Sequence, residues 1–243
     1  MKNIQINPWI GVMFLMVILQ SQCSIKDAKA DSQLEVVTNV RTVVPFTEIE
    51  ISGVFNVILE QGSVASIKIE TEQSAQSAII TEVKDNKLMV SMKEGFDFDH
   101  IRKKNIYITL NQITKIKNSG VGNLETKGIL KLKELRFESS SVGNTELNIA
   151  VQKFTTEISN VGNITLKGSS NEAYINKKGV GNLYAFEFEV AKLDLNFSGV
   201  GNTEVYATKE LYIDNSAVGN LSYKGDAALK KLEHVGVGKI KKF

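Results

Sequence analysis

Seven times between Val121 and the C-terminus the chain writes Val-Gly-Asn or a close variant. The copies begin at Val121, Val142, Val161, Val180, Val200, Val218 and Val237, the last decayed to Val-Gly-Lys, so successive valines lie 21, 19, 19, 20, 18 and 19 residues apart. A fixed period near twenty is the mark of a solenoid, in which each repeat is one coil that buries its apolar face only against its neighbours. The period constrains architecture and names no reaction.

Aligning the repeats on their valines turns the chain into columns. Two residues before Val stand Ser119, Ser140, Ser159, Lys178, Ser198, Ser216 and Val235, and one before it Gly120, Ser141, Asn160, Gly179, Gly199, Ala217 and Gly236. Small residues around an apolar one predict a sharp corner where stacked backbones approach closely. The Gly after Val admits a φ that other residues avoid, and Asn tolerates the left-handed region. Seven and five before Val come pairs such as Leu135/Phe137, Phe154/Thr156, Leu193/Leu195 and Leu211/Ile213, interleaved with polar residues in the period-2 pattern of a strand with one buried face. A further apolar position recurs twelve before Val as Leu130, Ile149, Phe188 and Tyr206. Each coil therefore holds about three short strands joined by tight corners.

Coils this short leave no room for a crossover helix, so stacked strands must run parallel. The expected fold is all-β, a right-handed parallel β-helix with about 19–20 residues per coil. Equivalent residues stack about 4.8 Å apart, so Asn123, Asn144, Asn163, Asn182, Asn202 and Asn220 form one structural ladder, with side-chain amides expected to bond to those above and below. Residues 119–243 are the regular coils and 40–118 an irregular, strand-rich start. There Ile49–Leu59, Ile67–Glu70, Leu88–Met92 and Ile106–Leu110 alternate, and Ser74–Ile80 reads as mildly helical. Ser52-Gly53-Val54-Phe55-Asn56 parallels Ser119-Gly120-Val121-Gly122-Asn123, which places the first coil near Ser52, with excursions between the early coils and a bulky end that closes the stack.

The N-terminus reads as an export signal. Lys2 precedes the apolar run Trp9–Leu19, whose eleven residues are too few for a bilayer span of about 20. Residues 1–22 are then a lipoprotein-type signal peptide and 23–39 a tether, with Cys23 as lipid attachment site; the alternative is cleavage after Ala30, at Ala28-Lys29-Ala30. Gln20 and Gln22 depart from the residues usual before a lipidated cysteine. Cys23 is the chain's one cysteine, so no intramolecular disulfide competes for it. The implied partner is a membrane, through the anchor, and the location is the cell envelope, as an outer-membrane lipoprotein.

Lys+Arg 29 against Asp+Glu 27 leaves a net charge of +2, without the clustered basic excess of a nucleic-acid binder. His100 and His234 have no second ligand at metal spacing, no cofactor motif is present, and no helix follows the glycines to make a phosphate cradle. Candidate chemistry sits on the outward columns. Tyr174, Asp194 and Tyr212 make a platform for a glycan or an envelope protein. Glu138 and Glu157 stack at a separation near that of a retaining glycosidase pair, so a polysaccharide-active enzyme is the competing reading. Such a pair also needs unlike surroundings and a cleft, which uniform repeats do not supply; the chain reads as no enzyme. A third reading is an envelope accessory protein that pairs through an exposed coil end.

The order Arg41-x-Val43-x-x-Phe46, Ile49-x-Ile51-Ser52-Gly53-x-Phe55-x-Val57, Gln61-Gly62, Leu88-x-Val90, Ile106-Tyr107-Ile108-Thr109-Leu110 and Ser119-Gly120-Val121-Gly122-Asn123 resembles the head GIN domain family over about Val40–Lys224. Its members are adhesin-like proteins exported by Bacteroidetes. The resemblance implies a β-helix-like fold and an envelope location, and it carries over no catalytic residues.

Overall fold

The structure is a computed structural model that describes residues 35–243. Cys23, both expected cleavage positions and most of the expected tether lie outside the described residues. One continuous hydrogen-bonded sheet contains Val36–Thr42 (β1), Glu48–Ile51 (β2), Asn56–Gln61 (β3), Ser66–Glu72 (β4), Ile79–Lys84 (β5), Lys87–Met92 (β6), Lys104–Leu110 (β7), Lys115–Asn118 (β8), Leu124–Lys127 (β9), Leu130–Ser139 (β10), Thr145–Val161 (β11), Ile164–Val180 (β12), Leu183–Phe197 (β13), Thr203–Asn215 (β14), Leu221–Lys224 (β15), Ala228–His234 (β16) and Ile240–Lys242 (β17).

From β8 onward every pairing is parallel, and the chain winds a β-solenoid of about seven turns over residues 115–242. The valines of the repeat pair in series, Val54 with Val121, then Val142, Val161 and Val180, on to Val200, Val218 and Val237. Register follows the period of the sequence: Thr145 faces Ile164, and Leu183 faces Thr203. Unequal coil lengths are absorbed by bulges, as where Ala185–Glu189 lies beside Val205–Tyr206. That bulge turns Tyr206 partly outward and places Ala207 inside, so Tyr206 does not fill the apolar position assigned to it.

The core is the stack of inward-facing side chains enclosed by the coils. Phe137, Phe154, Phe188 and Phe197 are fully buried, and the rings of Phe154 and Phe188 meet edge to face with centroids 5.6 Å apart. At the Val corner the backbones come too close for a side chain. Gly143 has φ +139, and a Cβ there would strike the carbonyl oxygen of Gly122 in the coil below. The Asn that follows is not left-handed; among the described residues the non-glycine positions at positive φ are Asp85 and Asn86, in the turn between β5 and β6.

The N-terminal part is a curled mixed sheet. β2, Val54 and β3 form a coil directly beside β8, Val121 and β9. The long excursion 62–114 does not sit between coils. It crosses to the far side of that first coil, where β6 and β7 pair in parallel with β2 and β3, and antiparallel β5, β4 and β1 complete the cap. Arg41 ties the cap together: Nη1 donates to the carbonyl of Ile79 (2.8 Å) and to Thr81 Oγ1 (2.9 Å), and Nη2 to the carbonyl of Gln76 (2.8 Å). The stretch expected to be helical holds one 3-10 turn, Gln73–Ala75, and enters β5 at Ile79. The other end is open. Leu229 and Leu232 are 40% and 47% exposed, whereas their neighbours one coil earlier, Leu211 and Ile213, are 0% exposed.

Candidate functional site

Every second residue of a coil faces solvent, and parallel stacking lines these residues into columns along the solenoid. One column runs Arg136, Thr155, Tyr174, Asp194, Tyr212, Lys231, and its neighbour Glu138, Glu157, Asn176, Asn196, Asp214, Glu233. Tyr174, Asp194 and Tyr212 are therefore adjacent rungs, all partly buried. Their polar atoms are engaged sideways. Tyr174 Oη accepts from Asn196 Nδ2 (3.4 Å), Tyr212 Oη donates to Glu210 Oε2 (3.2 Å), and the Lys192 ammonium lies 5.9 Å from the Tyr212 ring centroid. Burial and the adjacent Glu210 both raise the Tyr212 pKa, so this phenol stays a donor at neutral pH. A shallow dent of about 130 Å³ beside Tyr174 and Asp194 has Lys153, Glu172 and Lys192 on its walls.

Glu138 and Glu157 are direct cross-strand neighbours. Arg136 Nε donates to Glu138 Oε1 (2.6 Å) and Lys115 Nζ lies 3.0 Å from the same oxygen. The bond from Arg136, reinforced by Lys115, holds the Glu138 carboxyl below its ordinary value against a partial-burial effect of opposite sign. Glu157 Oε2 accepts from Asn176 Nδ2 (2.8 Å). Both carboxylates lie on an open strand face. No group of three or more His, Cys, Asp or Glu side chains is placed to hold a metal among the described residues.

The asparagine column has a geometry that differs from the expected amide-to-amide ladder. Each Oδ1 accepts the backbone N–H of the asparagine one coil on: Asn56 to Asn123, Asn123 to Asn144, Asn144 to Asn163, Asn163 to Asn182, Asn182 to Asn202 and Asn202 to Asn220, at 2.8–3.1 Å. Asn220 passes the pattern to the N–H of Lys239 (3.0 Å). Asn56 Nδ2 donates to Asn105 Oδ1 (3.4 Å) and Asn182 Nδ2 to Tyr184 Oη (2.8 Å), and the other amide nitrogens of the column have no protein partner among the described residues.

Residues 45–227 match the family described as "Putative auto-transporter adhesin, head GIN domain". The chain belongs to that family. A crystal structure of a putative adhesin from Bacteroides fragilis NCTC 9343 is 27% identical, superposes with a TM-score of 0.78, and aligns with 86% of this chain and 97% of its own. A putative adhesin from Parabacteroides distasonis ATCC 8503 (22% identical, TM-score 0.64, covering 86% and 97%) and one from Parabacteroides merdae ATCC 43184 (22%, 0.57, covering 86% and 96%) share the fold. No curated protein is similar to the chain at a significant level.

Three features of this head GIN domain escape a reading of its columns one at a time. The repeat valines face outward, Val121, Val142, Val161 and Val180 each about half exposed (47–52%), so the most regular apolar residues form a surface stripe rather than core. Three before Val, in an inward column, stands Lys177. Its side chain is fully buried, with Nζ donating to the carbonyl of Gly181 (2.7 Å) and lying 4.8 Å from the centre of the Phe197 ring, and burial lowers its pKa to about 8. The inward parity of that column was the available signal. The third feature is a groove of about 340 Å³ between the asparagine column and the next outward column, Glu125, Glu146, Thr165 and Tyr184.

Proposed function

We propose that this head GIN domain is a non-catalytic binding module held at the cell envelope, with a lateral face of the solenoid as its contact surface and Cys23 as a lipid attachment point. The observation that carries the non-catalytic part is the state of Glu138. A retaining glycosidase needs one carboxyl kept protonated near neutral pH by a raised pKa. Glu138, clamped by Arg136 and Lys115, is shifted the opposite way and cannot be that acid. Glu157, the remaining carboxylate, lies on the same open strand face with its Oε2 bonded to Asn176 Nδ2, without the enclosed surroundings that would set it apart as one. The adhesin names of the family and of the solved relatives agree with binding as the task.

Two measurements test this reading. Incubating the protein with envelope polysaccharides should release no reducing ends; release that disappears in Glu138→Gln or Glu157→Gln would establish the enzyme instead. Labelling cells with radioactive palmitate should mark the wild type and not Cys23→Ser, and an unlabelled wild type removes the anchor.

A second reading has its own observation, the uncovered last coil. The exposed Leu229 and Leu232 lie among Lys230, Lys231, Lys239, Lys241 and Lys242. Lysines at a strand edge guard against aggregation, and here they also disfavour end-to-end pairing of two copies, which would bring two sets together. An acidic segment added as a further parallel strand is the occupant this end fits. Analytical sedimentation checks the point: the protein alone should remain a monomer, and a salt-insensitive dimer lost in Leu232→Lys would show self-pairing.

A further inference from the structure

We infer that the groove beside the asparagine ladder is a binding site for a neutral, extended, β-linked glycan chain lying along the solenoid axis. The inference rests on the binding-module reading and names its surface and ligand class. It starts from what the ladder leaves unused. Because each Oδ1 is committed to the next coil's backbone N–H, the amide plane is fixed and its orientation is not free to flip. The Nδ2 groups of Asn123, Asn144 and Asn163 donate to no protein group among the described residues. They form a row of pre-oriented donors, one per coil, about 4.8 Å apart. The spacing is close to the rise per sugar of an extended β-linked hexose chain.

Acceptors stand in a second row. Glu125, Glu146, Thr165 and Tyr184 follow the asparagines by two residues in each coil and are in register with one another. Two residues of strand separate the rows by about 7 Å, the width over which one pyranose ring presents hydroxyls at both edges. A hydroxyl donates and accepts at once, so amide donors on one side and carboxylate or hydroxyl acceptors on the other match a polyol better than either row alone. Tyr184 is 39% exposed at the end of the groove, and its Oη accepts from Asn182 Nδ2 (2.8 Å), which holds the ring in place as a surface for a sugar face.

The same surface discriminates between ligand classes. Glu125 and Glu146 are adjacent rungs, with Lys167 paired to Glu146 at 2.7 Å, so the groove carries net negative charge and repels acidic polysaccharides. The backbone groups of the flanking strands are consumed in the parallel ladders, leaving no free edge for strand addition by a peptide. The floor, Leu124 and Thr145, is buried, so it offers no exposed apolar surface to a peptide side chain.

Titration calorimetry of the folded protein with cellohexaose, mannohexaose and hexagalacturonate tests the site. A neutral hexaose should bind, its trisaccharide more weakly, and hexagalacturonate not at all. Asn144→Asp/Asn163→Asp keeps the oxygen that accepts the backbone N–H and removes the outward donor. With two hydrogen bonds lost it should weaken hexaose binding roughly tenfold or more. Tyr184→Ala and Glu125→Gln leave the backbone ladder intact, and should each weaken binding even if the paired variant melts early. Failure of both neutral hexaoses to bind, binding unchanged in the groove variants, equal binding of hexagalacturonate, or displacement of the sugar's role by an extended uncharged peptide would each overturn the glycan groove. Retention of envelope material by the protein in spite of such a result would leave the broader binding-module reading standing.

Discussion

Asn163 Oδ1 accepts the backbone N–H of Asn182, one coil further on, at 2.9 Å. At this corner the chain leaves one side of the solenoid for the next, and the N–H of the asparagine has no carbonyl opposite it. The side chain of the preceding coil substitutes for the missing rung, which is why the repeat carries a side chain with an acceptor oxygen at this position. Asn163→Ala should leave that N–H to water and cost about 1 kcal/mol, with Asn163→Asp costing less because it preserves the acceptor. Urea unfolding followed by circular dichroism measures the order wild type, Asp, Ala; equal losses in Asp and Ala would remove the ladder's role.

The glycine in the same triplet is under a harder constraint. Gly143 combines φ +139 with a carbonyl oxygen where a Cβ would be. Gly143→Ala should therefore cost more than ordinary surface substitutions, on the order of 2–4 kcal/mol, and appear as a large drop in melting temperature or soluble yield. Gly95, which has φ +75 but open space around it, is the comparison: Ala there should cost about 1 kcal/mol.

Lys177 makes stability depend on pH. Its folded pKa of about 8 lies below the ordinary 10.5. Between those values the unfolded chain binds more protons than the folded one, so this residue's contribution to stability rises with pH from about 8 to 10.5. Below pH 8 the lysine is charged in both states and the burial cost is fully present. The difference between wild type and Lys177→Met, measured by denaturant unfolding at pH 7, 8, 9 and 10, should favour Met at pH 7 by on the order of 1–3 kcal/mol and shrink as pH rises. A difference that stays flat would mean the ammonium is solvated.

Phe154 tests the shared core. It is fully buried in β11, and its ring meets that of Phe188 in β13. Phe154→Ala should cost about 3–5 kcal/mol, and because coils bury their faces only against neighbours the loss should spread to adjacent coils. Hydrogen exchange on β11 to β13 reads this directly; a loss confined to β11 would mean the coils are independent.

Much of this architecture was legible because a solenoid reduces a fold to a period. Once the valines set the register, the stacking of Tyr174, Asp194 and Tyr212, and of Glu138 on Glu157, followed by counting. What counting could not reach depends on geometry across columns or over long distance. The Asn acceptor role needs the backbone direction at the corner. The path of residues 62–114 around the far side of the first coil depends on antiparallel pairing between β1, β4 and β7, and on Arg41 reaching Ile79 and Thr81. Lys177 reads as surface by residue type and is core by parity, and Tyr206 lost its inward place to a bulge that only the pairing of β13 with β14 reveals. The groove is a property of two columns together, so neither announces it alone.

The central claim is that this head GIN domain binds an envelope component through the side of its solenoid without acting on it. The most direct measurement is equilibrium retention of fluorescently labelled protein, residues 24–243, on separated envelope glycan and envelope protein fractions. The variants are Asn144→Asp/Asn163→Asp, Tyr174→Ala/Tyr212→Ala and Leu232→Lys. Saturable retention on one fraction, reduced by a lateral-face variant and unchanged by Leu232→Lys at the open end, is the predicted result. No saturable retention on either fraction, or loss only in Leu232→Lys, would contradict it.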